Sequence, residues 1–310
     1  MDIEHMKTLL MYPFSRKARK RYEKDFKLIM TLVVKNEEDI LETNIRFHHA
    51  MGVDGFIVSS HNCTDRTDEI LERLQKEGLV LAILKRTDLE HKLSAWVEEM
   101  IFLARKFGAR WVINADADEF YYSAQLDLKE SIRRSEGANA LWVDSIFLFP
   151  EDREDYLNSS FWVTRPFQKF EAEALGIQGD PLFADFIGSQ GCTKVIHKTR
   201  GFKKIADGNH DINMHDRVKC HSADIRLYHY HIRSYEGWER KIRRWTESIA
   251  RRREGSGEHL KAMVRIYQAG KLREVFDKKY GLEAREFLLK QGVVTIDPSV
   301  PNFLKYKKLI

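Results

Sequence analysis

The sequence predicts an α/β protein, a doubly wound and mainly parallel sheet followed by a helical C-terminal extension. Three features carry that prediction. Short apolar runs alternate with helix-length amphipathic stretches over residues 28–114, a glycine stands at the end of each such stretch, and from residue 235 onward the pattern is helical. At 310 residues, with 43% hydrophobic and 11% aromatic side chains, the chain can bury a core without disulfide or metal staples.

The elements follow in order. Leu28 to Val34 is uncharged and apolar and reads as a buried strand. Glu37 to Met51 reads as a helix, with acidic residues in its first turn, Leu41, Ile45 and His48 on one face, and Gly52 as its stop. Gly55 to Val58 is a strand, Thr64 to Glu77 a helix closed by Gly78, and Leu79 to Leu84 a strand. His91 to Phe107 is a helix closed by Gly108, and Arg110 to Asn114 a fourth strand. Such βαβ units take right-handed crossovers. Further on, Ala140 to Phe149, Phe161 to Phe170, Thr193 to His197 and Ile225 to His231 are strand-like, and Glu171 to Gly191 reads as a loop region. Tyr235 to Arg253 is a helix, Gly255-Ser256-Gly257 a break, and shorter helices follow. The expected organisation is a basic N-terminal segment over 1–26, a catalytic-size α/β domain over 27–234, and a helical extension over 235–310 packed on it.

The net charge of +5 and pI near 8.9 first suggest a polyanionic partner. The charge is local, however. Arg16 to Arg21 holds five basic residues, and Trp238 to Arg253 holds seven against two acidic ones. With both segments set aside, 40 basic residues face 45 acidic ones, so no general nucleic-acid-binding surface is expected. Trp238, Ile242, Trp245 and Ile249 fall on one face of the second segment, the side expected to dock on the domain. Cys63, Cys192 and Cys220 are an odd number without a CxxC, which fits a reducing compartment. Asp2 and Glu4 near the start and the absence of an apolar h-region lead to the expectation of a cytoplasmic protein.

The strongest chemical signal ends the fourth strand, at Trp111-Val112-Ile113-Asn114-Ala115-Asp116-Ala117-Asp118-Glu119-Phe120. Carboxylates at i and i+2 leaving a strand are expected to point the same way. They would lie in the crevice beyond the carboxyl ends of the strands, where open α/β sheets bind ligands. Hard carboxylate oxygens there suit Mg²⁺ or Mn²⁺ bridging to a diphosphate. An EF-hand is excluded, because Phe120 occupies a ligand position and Tyr121 the place of the required glycine. Lys35-Asn36-Glu37-Glu38 follows the first strand, and His61-Asn62-Cys63-Thr64-Asp65-Arg66-Thr67 the second, so all three segments meet at one edge of the sheet. Far downstream stands Leu227-Tyr228-His229-Tyr230-His231-Ile232-Arg233-Ser234, followed by Glu236, Trp238 and Lys241.

Taken together these motifs resemble the family 2-like glycosyltransferases of the GT-A (Rossmann-like) fold. The closest pattern is the branch with a KNE first loop, an N-x-S/T-D second loop, a DxDEF third and an HYxxRSxExFxxK tail, here with Trp238 in place of Phe. The resemblance spans about residues 28–245. It implies a metal-dependent transferase that moves a sugar from a nucleotide-sugar donor to a glycan or lipid-linked acceptor, with inversion at the anomeric carbon, in surface polysaccharide or lipopolysaccharide synthesis. By the same resemblance Lys35, Asn36, Glu37, Asn62 and Asp65 would line the nucleotide pocket, and Asp116 and Asp118 would hold the ribose and the Mn²⁺- or Mg²⁺-bound diphosphate. His229 would add a metal or phosphate contact, and Arg233 and Lys241 would offset charge on the departing nucleoside diphosphate. Ser60 and His61 stand where many relatives carry Asp or Asn, which leaves the base open, and Cys63 stands where Ser is usual. A direct displacement also needs a base for the acceptor proton, and Asp185, Asp207 and Asp211 are the candidates, with nothing in the sequence to choose among them. The basic segment over 1–26 is a candidate contact with an anionic membrane surface at the inner face of the membrane.

Two rival readings fare worse. A sugar nucleotidyltransferase would carry a glycine-rich basic loop after the first strand, which Lys35-Asn36-Glu37-Glu38 is not. His210, His215, Cys220 and His221 lack the paired spacing of common zinc sites.

Overall fold

Strand β1 (Leu28–Val34) is buried along nearly its whole length, as a strand covered by helices on both faces must be. The computed structural model describes residues 26–88, 92–135, 137–166, 168–176, 193–251 and 258–310. The expected features at Arg16 to Arg21, Asp185, Cys192 and Gly255-Ser256-Gly257 lie outside these residues. The chain forms two units. The first comprises Met1–Asp144, Thr193–Leu227 and Tyr306–Ile310, and the second Ser145–Cys192 and Tyr228–Lys305.

In the first unit β1 leads to α1 (Leu41–Ala50), β2 (Gly55–His61), α2 (Thr67–Lys76), β3 (Val80–Arg86), α3 (Leu93–Lys106) and β4 (Trp111–Asp116). Strands β3, β2, β1 and β4 pair in that order, all parallel, so β4 lies on the side of β1 opposite β2. The order reverses between β1 and β4. β3 ends this sheet, and its alternating burial is that of a strand with one neighbour. One face is closed by α3, where Val97, Met100, Ile101 and Ala104 pack with Ile29, Ile57 and Val112. The chain continues through β5 (Glu119–Ser123) and α4 (Leu128–Arg134) to β6 (Ala140–Leu148). Asp127 caps α4, its carboxylate accepting the N–H groups of Lys129 (2.7 Å) and Glu130 (3.2 Å). That carboxylate explains Gly52, whose φ is +96° and whose place a Cβ would fill 3.0 Å from Asp127 Oδ1.

The second unit takes the last residues of β6, then β7 (Phe161–Val163) and α5 (Lys169–Ala174). The chain returns to the first unit with β8 (Thr193–Lys198), β9 (Phe202–Ile205), β10 (Ile212–Met214) and β11 (Lys219–His221). β8 runs antiparallel to both β4 and β6 and completes the order β6-β8-β4-β1-β2-β3. β12 (Ile225–His229) carries the chain into the second unit again, which continues with α6 (Tyr235–Arg251), α7 (Glu258–Gln268), α8 (Leu272–Tyr280), α9 (Leu282–Lys290), β13 (Val294–Ile296) and α10 (Ser299–Tyr306). Its core gathers Phe149, Val163, Trp238, Ile242, Met263, Phe276, Tyr280 and Leu288. β13 pairs antiparallel with β7.

The predicted α/β sheet with a helical C-terminal part is therefore present, with two local corrections. The strand expected over Phe161 to Phe170 ends at Val163, and the region expected as loop from Glu171 opens inside α5. Pro166 has no N–H for a sheet ladder, and buried Glu171 accepts the N–H of Gln168 at 2.7 Å, closing a cap at the start of the helix. Burial alone would raise the Glu171 carboxyl, but the Arg165 guanidinium and that N–H bring it below the ordinary carboxylate range.

Candidate functional site

The carboxyl ends of β1, β2 and β4 lie side by side, with Val33 in register with Asp116 and Val34 with Ser60. This edge, at the point where strand order reverses, is where an open α/β sheet leaves a crevice for a ligand. The loops after β1 and β2 meet there and are tied together. Asn36 and Asn62 hold left-handed backbone angles, φ 57° and 47°, which asparagine tolerates better than most residues. Asn36 donates from Nδ2 to Thr64 Oγ1 at 3.0 Å and accepts the Thr64 N–H at 2.8 Å. The Glu37 N–H donates to Thr67 Oγ1 at 2.8 Å. Asp65 accepts the N–H groups of Glu38 (3.3 Å) and Thr67 (3.0 Å). Asn62 donates to the Asp88 carbonyl at 3.2 Å, and Lys35 stands exposed just beyond β1. Cys63 Sγ accepts the Asn36 N–H at 3.5 Å and the Ser60 hydroxyl at 3.3 Å. The Ser60 hydroxyl also meets the Asp68 carboxylate.

β4 ends at Asp116, and the chain turns through Ala117 and Asp118 into β5. The two-residue alternation expected to align the two carboxylates therefore stops at Asp116. The Asp116 side chain is 41% exposed, whereas Asp118 is 9% exposed. Glu119, fully buried, accepts the Asp116 N–H at 3.1 Å and closes the turn. From β8 the buried Lys194 reaches into the same turn, its Nζ 2.8 Å from Glu119 Oε1 and 3.4 Å from Asp116 Oδ2.

The turn and the strand β4 that leads into it rest on two buried polar connections that carry no charge. His48 of α1 accepts the Tyr121 N–H at Nε2 (2.9 Å), which leaves the proton on Nδ1 to donate to the Asn44 carbonyl at 2.9 Å. Asn44 in turn donates to the Glu119 carbonyl at 2.8 Å. Burial holds the His48 imidazole neutral, its pKa pushed down to about 3. Behind β4, Thr31 donates to Asn114 Oδ1 at 2.7 Å, and Asn114 Nδ2 donates to His197 Nε2 at 3.0 Å. His197 Nδ1 then donates to the Lys198 carbonyl at 2.9 Å, and burial pushes its pKa down to about 4.

Among the candidate bases, Asp211 is exposed and paired with Arg217 at 3.0 Å. Asp207 opens the 3₁₀ turn Asp207–Asn209. His210 Nδ1 donates to the Thr193 carbonyl at 2.9 Å, and Thr193 begins β8, which runs antiparallel to β4. The turn therefore lies toward the carboxyl end of β4. His229, Arg233 and Lys241 belong to the second unit. The His229 ring lies 5.4 Å from Phe147 and 5.5 Å from His231. Arg233 donates to the Tyr230 carbonyl at 3.4 Å, and Lys241 is exposed on α6.

The sequence reading missed Lys194, His48, Asn44 and His197 as supports of the acidic turn. The signal available was slight: His48 on the apolar face of its helix, and Lys194 and His197 inside a short strand-like run. The hard oxygens of Asp116 and Asp118 fit Mg²⁺ or Mn²⁺ by type. No three or more His, Cys, Asp or Glu among the described residues are placed to hold a metal ion by themselves, so such an ion would depend on ligand oxygens as well. Among those residues no helix is long and apolar enough to cross a membrane.

No family model and no curated protein matches the sequence. Among solved structures the chain is similar to S. aureus TarS 1-349, at 11% identity over 85% of this chain and 78% of that one, with a TM-score of 0.39. The same protein in complex with UDP-GlcNAc gives 10% identity over 84% and 78%, with a TM-score of 0.41. Glucosyl-3-phosphoglycerate synthase from Mycobacterium tuberculosis, in complex with Mn²⁺, UDP and glucosyl-3-phosphoglycerate, gives 14% identity over 57% and 58%, with a TM-score of 0.30. These are loose likenesses.

Proposed function

We propose that the chain is a metal-dependent glycosyltransferase that takes a sugar from a nucleotide-sugar donor and passes it, with inversion, to a glycan or lipid-linked acceptor. The observation that carries the reading is the Asp116–Asp118 turn, set at the carboxyl edge where strand order reverses and flanked by the tied loops after β1 and β2. Nucleotides bind at such edges because loop backbone and side chains converge there without helix cover. Lys35, Asn36, Glu37, Asn62 and Asp65 would form the nucleoside side of the pocket. Asp116 and Asp118 would hold Mn²⁺ or Mg²⁺. When bound, that ion would stabilise the negative charge that collects on the diphosphate as the sugar leaves.

Other roles rest on the motif alone. His229 would contact metal or phosphate, and Arg233 and Lys241 would offset leaving-group charge. A carboxylate from Asp185, Asp207 or Asp211 would take the acceptor proton. An acceptor in surface polysaccharide synthesis and a peripheral contact of the basic N-terminal segment with anionic membrane complete the proposal.

The test is a thermal-shift panel of UDP-, GDP-, CMP- and dTDP-sugars with and without Mn²⁺, since a ligand bound only by the folded state raises its melting temperature. One nucleotide class should stabilise the protein in a Mn²⁺-dependent way, and Asp118→Ala should remove both that shift and sugar transfer. The absence of any nucleotide- and metal-dependent shift would sink the reading.

A further inference from the structure

Lys194 is an ionisable side chain that the motif leaves without a role, yet it is 5% exposed and sits at the acidic turn. Two of its contacts are unequal. Glu119, fully buried, takes the ammonium at 2.8 Å and itself holds the Asp116 N–H, so the cation is anchored on that side. Asp116, much more exposed, is reached at 3.4 Å through Oδ2. A lysine ammonium is a compact charge on a flexible stem and can move between neighbouring oxygens without losing its anchor.

We infer that Lys194 is a placeholder cation that makes the acidic turn take a divalent ion together with a diphosphate and not by itself. The inference rests on the proposed nucleotide-sugar reading and adds an order of binding to it. Before the donor arrives the ammonium shares Asp116 Oδ2 and opposes a second cation at the same carboxylate. The ammonium offsets part of the negative charge that the neighbouring carboxylates present to a cation. An arriving diphosphate supplies oxygens that attract the ammonium, and Asp116 is released toward the metal. No bond is made or broken, and the exchange is one of ion partners.

One variant should show changes of opposite sign. Lys194→Met should bind Mn²⁺ alone more tightly, by about tenfold or more, because a unit positive charge beside the divalent ion is gone. The same variant should bind the preferred nucleoside diphosphate with Mn²⁺ about tenfold more weakly, because that cation no longer meets the phosphates. Mn²⁺ binding is read by electron paramagnetic resonance titration of the metal alone. Nucleotide binding is read by calorimetry with UDP, GDP, CDP and dTDP. If the buried Glu119 left without its cation prevents folding, the pair Lys194→Met with Glu119→Gln removes both charges and carries the test. In that pair Mn²⁺-alone affinity should be no lower than in the wild type while diphosphate affinity falls. A purely architectural Lys194 would weaken both together. A fall in both, or no change in either, overturns the inference. If no nucleoside diphosphate binds even the wild type, the proposed function falls, while the Mn²⁺-alone comparison still decides whether Lys194 restrains the turn.

Discussion

His48 and His197 are neutral, buried and bonded in ways that protonation destroys, so the protein should lose stability in mild acid by a calculable amount. His48 Nε2 accepts the Tyr121 N–H and His197 Nε2 accepts from Asn114, and neither nitrogen can accept once it carries a proton. Burial sets their folded pKa values at about 3 and about 4, against the ordinary 6.5 that applies in the unfolded chain. Between these values the unfolded state binds more protons, so stability rises with pH. It is complete above pH ~6.5 and lost as pH falls toward ~4 and ~3. From pH 7.5 to 5.0 each imidazole should remove about 2 kcal/mol, so the two together remove about 4 kcal/mol. The limiting slope approaches about 2.7 kcal/mol per pH unit.

Urea unfolding at pH 7.5, 6.0 and 5.0, followed by fluorescence, reads this directly. Glu42 does not confuse the window. The Arg73 guanidinium holds its carboxyl down at about 2, against an ordinary 4.5, so the stability it lends is present above about 4.5 and lost only below the range measured. Replacing both imidazoles, as His48→Gln with His197→Gln, should lower the plateau at pH 7.5 and flatten the dependence. A wild-type loss below about 1 kcal/mol, or an undiminished slope in the double variant, would refute the assignment of these histidines as the acid-sensitive supports of the turn.

Asn36→Ala removes both bonds to Thr64 and puts alanine at φ 57°, so it should cost about 1–3 kcal/mol. Asn36→Gly should recover the backbone part of that loss, and donor KM should rise more than kcat falls. Arg86 and Glu99 form a buried pair at 2.8 Å, so Arg86→Met should cost about 3–5 kcal/mol in chemical denaturation. Removing Glu99 as well, as Glu99→Leu, should return most of it, and a loss that the second change deepens would show that the pair is not the cause. Trp162, fully buried between Tyr228 and Tyr230 at ring distances of 4.8 and 5.1 Å, also donates to the Asp297 carbonyl at 3.0 Å. Trp162→Ala should therefore destabilise by about 3–5 kcal/mol, and a loss under 1 kcal/mol would contradict that packing.

What the sequence made legible, and what it hid, divides by how many partners decide an element. β1, β2 and β4 are apolar along their length because helices cover a parallel sheet on both faces, so each announces itself without reference to its neighbours. The helix stops at Gly52, Gly78 and Gly108 are equally local, since all three take positive φ. β9, β11 and β13 are three or four residues long, and β9 carries Lys203 and Lys204, so only their pairing makes them strands. The site divides the same way. Asp116 and Asp118 were visible because position at a strand end is enough to mark them. Lys194 lies in a segment where alternation allows a lysine to face solvent, and Glu119, the buried carboxylate that draws it inward, stands 75 positions earlier. His48 was placed on the correct helix face, yet its task depends on a strand 73 positions later. A buried polar side chain is costly alone and acceptable only with its partner, so its meaning is a property of the pair. Asp116 and Asp118 need only their place at a strand end to be read, whereas the groups that hold the turn become readable only when the fold has supplied the second member.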